Sequence, residues 1–253
     1  AQFSGGGYYS KKAGLYVSGF VARQRDAWQT YSDYDKTALN LRHDWQLSEK
    51  TLFTVSGAYI KYNTQTAGSV DSLQFYERKY VSNNTFTFRD INALRARATV
   101  DHKWNGNSSL SATVFFRDNS IGQFPAYAIK KDNSNAAIAH GQINENSLNS
   151  YGAVVQQTQK FPWLKAKLIA GLTIDYSPNK YWANYAKINR DPATGFMDSY
   201  ENRADSMLTD YDAKLLNTAA YAQFQFSPVD KLNIVLGARY DRIDFNYDNH
   251  LPP

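Results

Sequence analysis

Apolar and polar residues alternate with a period of two over long stretches of this chain. In residues 92 to 104, one set carries Leu94, Ala96, Ala98, Val100, His102 and Trp104, and the intervening set carries Arg95, Arg97, Thr99, Asp101 and Lys103. "KTALNLRHDWQL" splits the same way, with Leu39, Leu41, His43, Trp45 and Leu47 set against Asn40, Arg42, Asp44 and Gln46. "LLNTAAYAQFQF" sets Leu216, Ala220, Ala222, Phe224 and Phe226 against Asn217, Tyr221, Gln223 and Gln225. Successive side chains of a strand point to opposite faces, so the pattern predicts β-strands with one apolar and one wet face.

Four turn-like segments punctuate the pattern: "SEK" (48–50), "NGNS" (105–108), "PWLK" (162–165) and "PVDK" (228–231). Aligned on Gly57, Gly171 and Gly237, three of the strands that follow place Ala58, Leu172 and Ala238 on the apolar face. The turns recur roughly every 57 to 66 residues, so each repeat holds two strands and one long connection. Those connections, residues 66–90, 120–146 and 178–213, read as loops far longer than the about 2–5 residues of an ordinary hairpin. All fall at one end, which gives a rim of short turns and a rim of long loops.

Alternation alone also suits a soluble β-rich module such as a sandwich. Strand length separates the two. The strands read as about 11–15 residues, beyond the roughly 9–11 that a tilted strand needs to cross hydrocarbon. Trp45, Trp104, Phe161, Trp163 and Phe226 each lie within a few residues of a short turn, where an amphipathic ring meets a membrane interface. The expectation is an all-β fold: an antiparallel up-and-down transmembrane β-barrel, here a partial arc of about eight or nine long strands. Arg42, Arg95, Arg97 and Arg239 then face the lumen, with Asp44, Asp101 and Asp241 as candidate partners.

Composition narrows the remaining classes. The 253 residues have a mean hydropathy of −0.57, and no apolar run approaches the ~18 residues of a membrane helix. There is no Cys, which removes disulfides and thiolate metal sites. The 28 basic and 23 acidic residues are interleaved without a basic cluster, which argues against a nucleic-acid surface. His43, His102, His140 and His250 show no metal-site spacing, and no G-x-S-x-G, H-E-x-x-H or Walker segment occurs. The expectation is no enzyme, no metal site and no cofactor. His43 and His102, each two residues before a Trp, read as interface residues, and "SGGG" (4–7) reads as a turn.

"LLNTAAYAQFQFSPVDKLNIVLGARYDRIDF" (215–245) resembles the late-barrel hairpin of TonB-dependent outer-membrane receptors, in its "AAYAQ" strand, "SP-D-L" turn and "GARYD" strand. "LNLRHDWQLSEKTLFTVSGAYIKY" (39–62) resembles their early-barrel hairpins. The resemblance implies a bacterial outer-membrane receptor of ~22 strands around an N-terminal plug. It further implies a monomer embedded in the bilayer that imports a ferric siderophore, or another cargo such as cobalamin, haem or an oligosaccharide. Energy would come from the TonB complex acting through the plug. Residues 1–253 are then expected to be an internal stretch of that barrel, with the plug upstream and the last strands downstream.

Ferric siderophores fill their own metal's coordination sphere, so a receptor needs hydrogen bonds, ring faces and cations rather than metal ligands. The long connections supply these: Tyr76, Arg78 and Tyr80 in the first, Tyr127 and Lys130 in the second, and Tyr181, Trp182, Tyr185 and Arg190 in the third.

Overall fold

Each alternating segment pairs with the next, and the product is one antiparallel sheet. The computed structural model describes residues 1–68 and 70–252. In chain order the strands are β1 (Gln2–Ser10), β2 (Ala13–Gln24), β3 (Tyr34–Ser48), β4 (Thr51–Gln65), β5 (Phe88–Asn105), β6 (Ser108–Phe124), β7 (Lys130–Lys131), β8 (Ile138–Lys160), β9 (Lys167–Arg190), β10 (Met197–Val229) and β11 (Leu232–Asn249). The sheet runs β1-β2-β3-β4-β5-β6-β8-β9-β10-β11, with the two-residue β7 paired to β8. It is an open meander, with β1 and β11 as its two edges.

Nine strands run to 12 residues or more, in keeping with the expected arc of eight or nine long strands, and the shorter β1 and β7 bring the sheet to 11. Three expectations need correction. "SGGG" lies inside β1, not in a turn; Gly6 sits opposite Tyr16, where a Cβ would meet the Leu15 carbonyl oxygen at 2.7 Å. Residues 178–213 are chiefly the outer ends of β9 and β10, and 138–146 begin β8. Alternation fails there because polar residues enter the covered face too, as at Asn184, and because irregularities between Met197 and Thr209 interrupt the period in β10. Finally, Ala58 pairs with Asn40 and Arg95 and so lies on the polar face. Gly57 is on the apolar face whereas Gly171 and Gly237 are on the polar one, so matching the three glycines slips the register by one residue.

Elsewhere register keeps the two faces distinct from β2 to β11. Leu41, Gly57, Ala96, Phe116, Tyr151, Tyr176 and Leu216 form one continuous cross-strand row. Within the apolar face Trp45 and Trp104 stand near the short turns, half exposed, and Phe226 occupies the equivalent place on β10. Trp163 lies in the 3-10 turn Trp163–Lys165 beside the same rim. A second aromatic row, not anticipated from the sequence, comprises Tyr59, Phe116, Tyr151, Tyr176 and Tyr240, about eight or nine residues from the adjoining short turns. Charge returns to this face immediately beyond, at Arg23, Lys61, Asp118 and Arg242. Ten residues rise about 33 Å along a strand, or about 25 Å at the ~40° tilt of membrane barrels, which is the height of their apolar band.

Above that band the apolar face acquires a protein cover. Phe124, Ala139, Ile143, Ala186, Ile188 and Met197 are buried together, with Phe86, Phe88, Ile129 and Trp182 packed on them. The connection after β4 reaches across to β10, where Met197 N donates to the Asn83 carbonyl at 2.8 Å. It also carries a short helix, α1 (Ser72–Tyr76), capped by Asp71 and Gln74.

Candidate functional site

Two regions concentrate chemistry, the middle of the polar face and the long-loop rim. Cross-strand register builds the first. Arg42, Ser56, Arg97, Phe115, Gly152 and Asp175 form one row, and Asn40, Ala58, Arg95, Arg117 and Ser150 form the next. Four guanidiniums therefore share one patch, lining an open groove of 630 Å³ together with Tyr16, Phe115 and Asp175.

Their partners differ. Arg42 donates from Nε to Asp44 at 3.0 Å, and Asp44 also accepts from Thr54 Oγ1 at 2.7 Å. Arg239 is bidentate with Asp241, at 2.7 and 2.8 Å, and lies over the Tyr221 ring. Arg97 donates only to Ser56 Oγ, at 2.9 Å. Among the described residues Arg95 has no hydrogen-bond or ion-pair partner, and neither Arg95 nor Arg97 reaches Asp101. Directly opposite Arg95 stands Arg117, which the sequence reading had not singled out. Arg117 is paired with Asp175 and also donates to Ser150 Oγ at 2.6 Å. Asp175 in turn accepts from Ser150 Oγ at 2.6 Å and Ser177 Oγ at 2.8 Å. Ser150 is fully buried at the centre of this network.

Two glycines flatten the polar wall. Phe115 lies over Gly152 and Tyr221 over Gly171, each so close that a Cβ would strike the ring. Tyr221 continues across to donate its hydroxyl to Gln156 Oε1 at 2.9 Å. Rings lying flat on the wall leave room in front of it.

At the rim the sequence-predicted residues separate into five groups. Tyr127 and Arg190 come together, lining a 440 Å³ cavity with Arg89 and Lys131. Arg89 donates to Gln123 and Arg190 to the Ala136 carbonyl, so among the described residues these cations lack a carboxylate partner. Lys130 pairs instead with His140 along β7 and β8. Tyr181 and Tyr185 lie on the polar face of β9: Tyr181 stacks on Tyr211, which packs against Tyr247, with centroids 5.4 and 4.9 Å apart. Trp182 points to the opposite face, into the buried cluster, and is not beside them. Tyr76, Arg78 and Tyr80 form a separate exposed group with Phe75 and Trp28, whose ring meets Tyr80 edge-on at 4.9 Å.

His140 ties the rim hairpin down. Its Nδ1 is 2.5 Å from the Tyr185 hydroxyl and its Nε2 is 2.6 Å from Asp132 Oδ2. Asp132 also accepts from the Ser134 hydroxyl, Ser134 N and Asn135 N. These donors, the Ser134 hydroxyl foremost and His140 next, hold the carboxyl well below its ordinary range. A lowered Asp pKa stabilises the fold above the unfolded value of about 3.9 and ceases to do so as pH falls below it. Amide exchange across residues 130–140 should therefore stay slow from pH 7 to about 4 and accelerate below. Asp132→Asn should abolish that pH step; a step of unchanged size in the variant would contradict the assignment.

No protein-family model and no curated protein matches the chain. Solved structures do. The unliganded ferric citrate transporter FecA superposes with a TM-score of 0.76 at 12% identity, over 98% of this chain and 35% of that one. The sheet has the fold of a TonB-dependent receptor barrel wall. The siderophore receptor PiuA from Acinetobacter baumannii gives 0.62 at 12% identity, over 97% and 44%. The copper transporter OprC gives 0.59 at 16%, over 93% and 33%. The chain thus spans between a third and a half of the length of these barrel proteins.

Proposed function

We propose that this chain forms part of the wall of a bacterial outer-membrane receptor that imports a ferric siderophore, driven by the TonB complex. The observation that carries the reading is the band on the apolar face: exposed Leu, Val and Ile between two aromatic rows, backed on the other face by Arg and Asp. Water on both sides gives no reason for that asymmetry, whereas lipid outside and a wet lumen inside require it. On this reading Arg42, Arg95, Arg97 and Arg239 face the lumen, and Trp45, Trp104, Trp163 and Phe226 form the inner girdle. The outer girdle is the Tyr59–Tyr240 row. The barrel is a monomeric transporter, without catalytic residues or a bound cofactor.

Two features support an anionic, aromatic iron chelate as cargo. Tyr127, Arg89, Lys131 and Arg190 surround a cavity within the size range of small-molecule sites, and Tyr181, Tyr211 and Tyr247 add stacked rings to the lumen wall. Copper is a second reading, favoured by the likeness to a copper transporter. Deletion of the gene in an iron-starved host should abolish uptake of radiolabelled iron from its siderophore. Arg190→Gln with Lys131→Gln should weaken binding by roughly tenfold, as expected for two lost charge-assisted hydrogen bonds on a solvated rim. Induction by copper limitation with unchanged siderophore uptake would overturn the iron assignment.

A further inference from the structure

Lysine collects at the short-turn rim of the sheet. The β1–β2 turn is Lys11 and Lys12, the β3–β4 turn holds Lys50, the β8–β9 turn Lys165 and the β10–β11 turn Lys231. Among the described residues the only acids in these turns are Glu49 and Asp230, and no arginine stands in them. Asp230 lies 2.9 Å from Lys165, but the two side chains are 91% and 73% exposed, so water screens that pair. Lys160 and Lys167, directly opposed at the ends of β8 and β9, add further positive potential at the same rim.

The same turns stand beside the tryptophans of the inner girdle. Lys50 Nζ donates to the Trp104 carbonyl at 3.4 Å, and Gln46 N, next to Trp45, donates to the Lys12 carbonyl at 2.6 Å. Trp163 and Lys165 share one 3-10 turn. Lys165 also holds a left-handed φ of 49°, which Gly or Asn adopts at less cost, so backbone preference does not account for a lysine there. A ring at the edge of the hydrocarbon and an ammonium one step beyond it meet a lipid at two levels, the chain ends nearest the headgroup and the phosphate. We propose that this rim is a lysine collar that gathers anionic phospholipid from the leaflet it borders. A zwitterionic headgroup offers such a collar no net charge, whereas an anionic surface favours each lysine near it by about fivefold. The long lysine stem lies along the apolar surface while its point charge reaches the headgroup layer. The collar rests on the barrel reading, which sets the short turns at a leaflet surface.

The test uses the complete receptor, reconstituted in vesicles of phosphatidylcholine and phosphatidylglycerol, with bimane attached at Asn107→Cys in the β5–β6 turn. One lipid or the other carries a quenching nitroxide at the headgroup end of its acyl chain. At low salt, labelled phosphatidylglycerol should quench roughly twofold or more above labelled phosphatidylcholine at equal mole fraction. The excess should vanish in about 1 M salt, where charges are screened beyond about 3 Å. It should also vanish in Lys50→Gln/Lys165→Gln, which empties the turns on either side of the probe, and survive in Lys50→Arg/Lys165→Arg. Equal quenching by the two lipids at low salt would overturn the collar and leave the barrel in place. If that equality came with lysine-dependent cosedimentation on isolated peptidoglycan, the partner of the rim would be a wall polymer instead of lipid. No quenching by either lipid would take the turn away from any leaflet and overturn the barrel reading together with the collar.

Discussion

Leu172→Arg should cost about 2–4 kcal/mol of folding stability when the complete protein is folded into phospholipid vesicles, the penalty for a cation at the bilayer midplane. Leu172 lies at mid-height on the apolar face of β9 and is 64% exposed. If water surrounded it, an exposed Leu changed to Arg would fall within about ±0.5 kcal/mol. The neighbouring Thr173→Arg should do little, because Thr173 pairs with Val154 and Ala219 on the other face. Urea titration followed by tryptophan fluorescence and heat-modifiable migration reads both variants. Equal effects at 172 and 173 would remove the physical basis for a lipid-facing side.

How much of this was legible beforehand depended on whether two solvents acted on a segment. On the proposed barrel reading each strand between the girdles would meet lipid on one face and water on the other; Leu94 to Trp104 alternate cleanly, and the strand with its face assignment follows from sequence. Beyond the band that contrast ends. The outer ends of β9 and β10 are strands by hydrogen bonding, yet Tyr181, Lys187, Glu201 and Asp205 carry no two-residue signal. The outer girdle was missed for a related reason: a Tyr in a strand is ordinary, and only the strand boundaries show five aromatic residues at a common distance from the short turns.

Pairing posed a harder limit. Arg42 with Asp44 and Arg239 with Asp241 are two residues apart on one face and can be read from spacing. Arg117 and Asp175 are 58 residues apart in the chain, and nothing in "VFFRDN" distinguishes Arg117 from Arg95 until three strands are placed in register. Trp182 shows the converse. Sequence grouped it with Tyr181 and Tyr185, but the one-residue offset sends it to the opposite face, where it packs on the buried cluster.

Asp175→Ala should be the most damaging substitution on the polar wall, costing about 2–3 kcal/mol, because it removes a charged acceptor from three donors at once. Arg117 and Asp175 are only partly exposed, at 38% and 23% of their side chains, so solvent screens the pair less than Arg242 and Asp244, at 65% and 50%. Loss of Asp244 should stay below about 1 kcal/mol for that reason. Without Asp175, Arg117 faces Arg95 unopposed, and the sheet retains two like charges across one strand gap. Arg117→Ala in the same background should relieve that repulsion, so the double variant should be no worse than Asp175→Ala alone, a coupling of roughly 1–2 kcal/mol. The cost of Asp175→Ala should also shrink as ionic strength rises and screens the paired guanidiniums. Strictly additive single effects with no salt dependence would mean that Asp175 acts through Ser150 and Ser177 alone, and that the arginines on this wall do not sense one another.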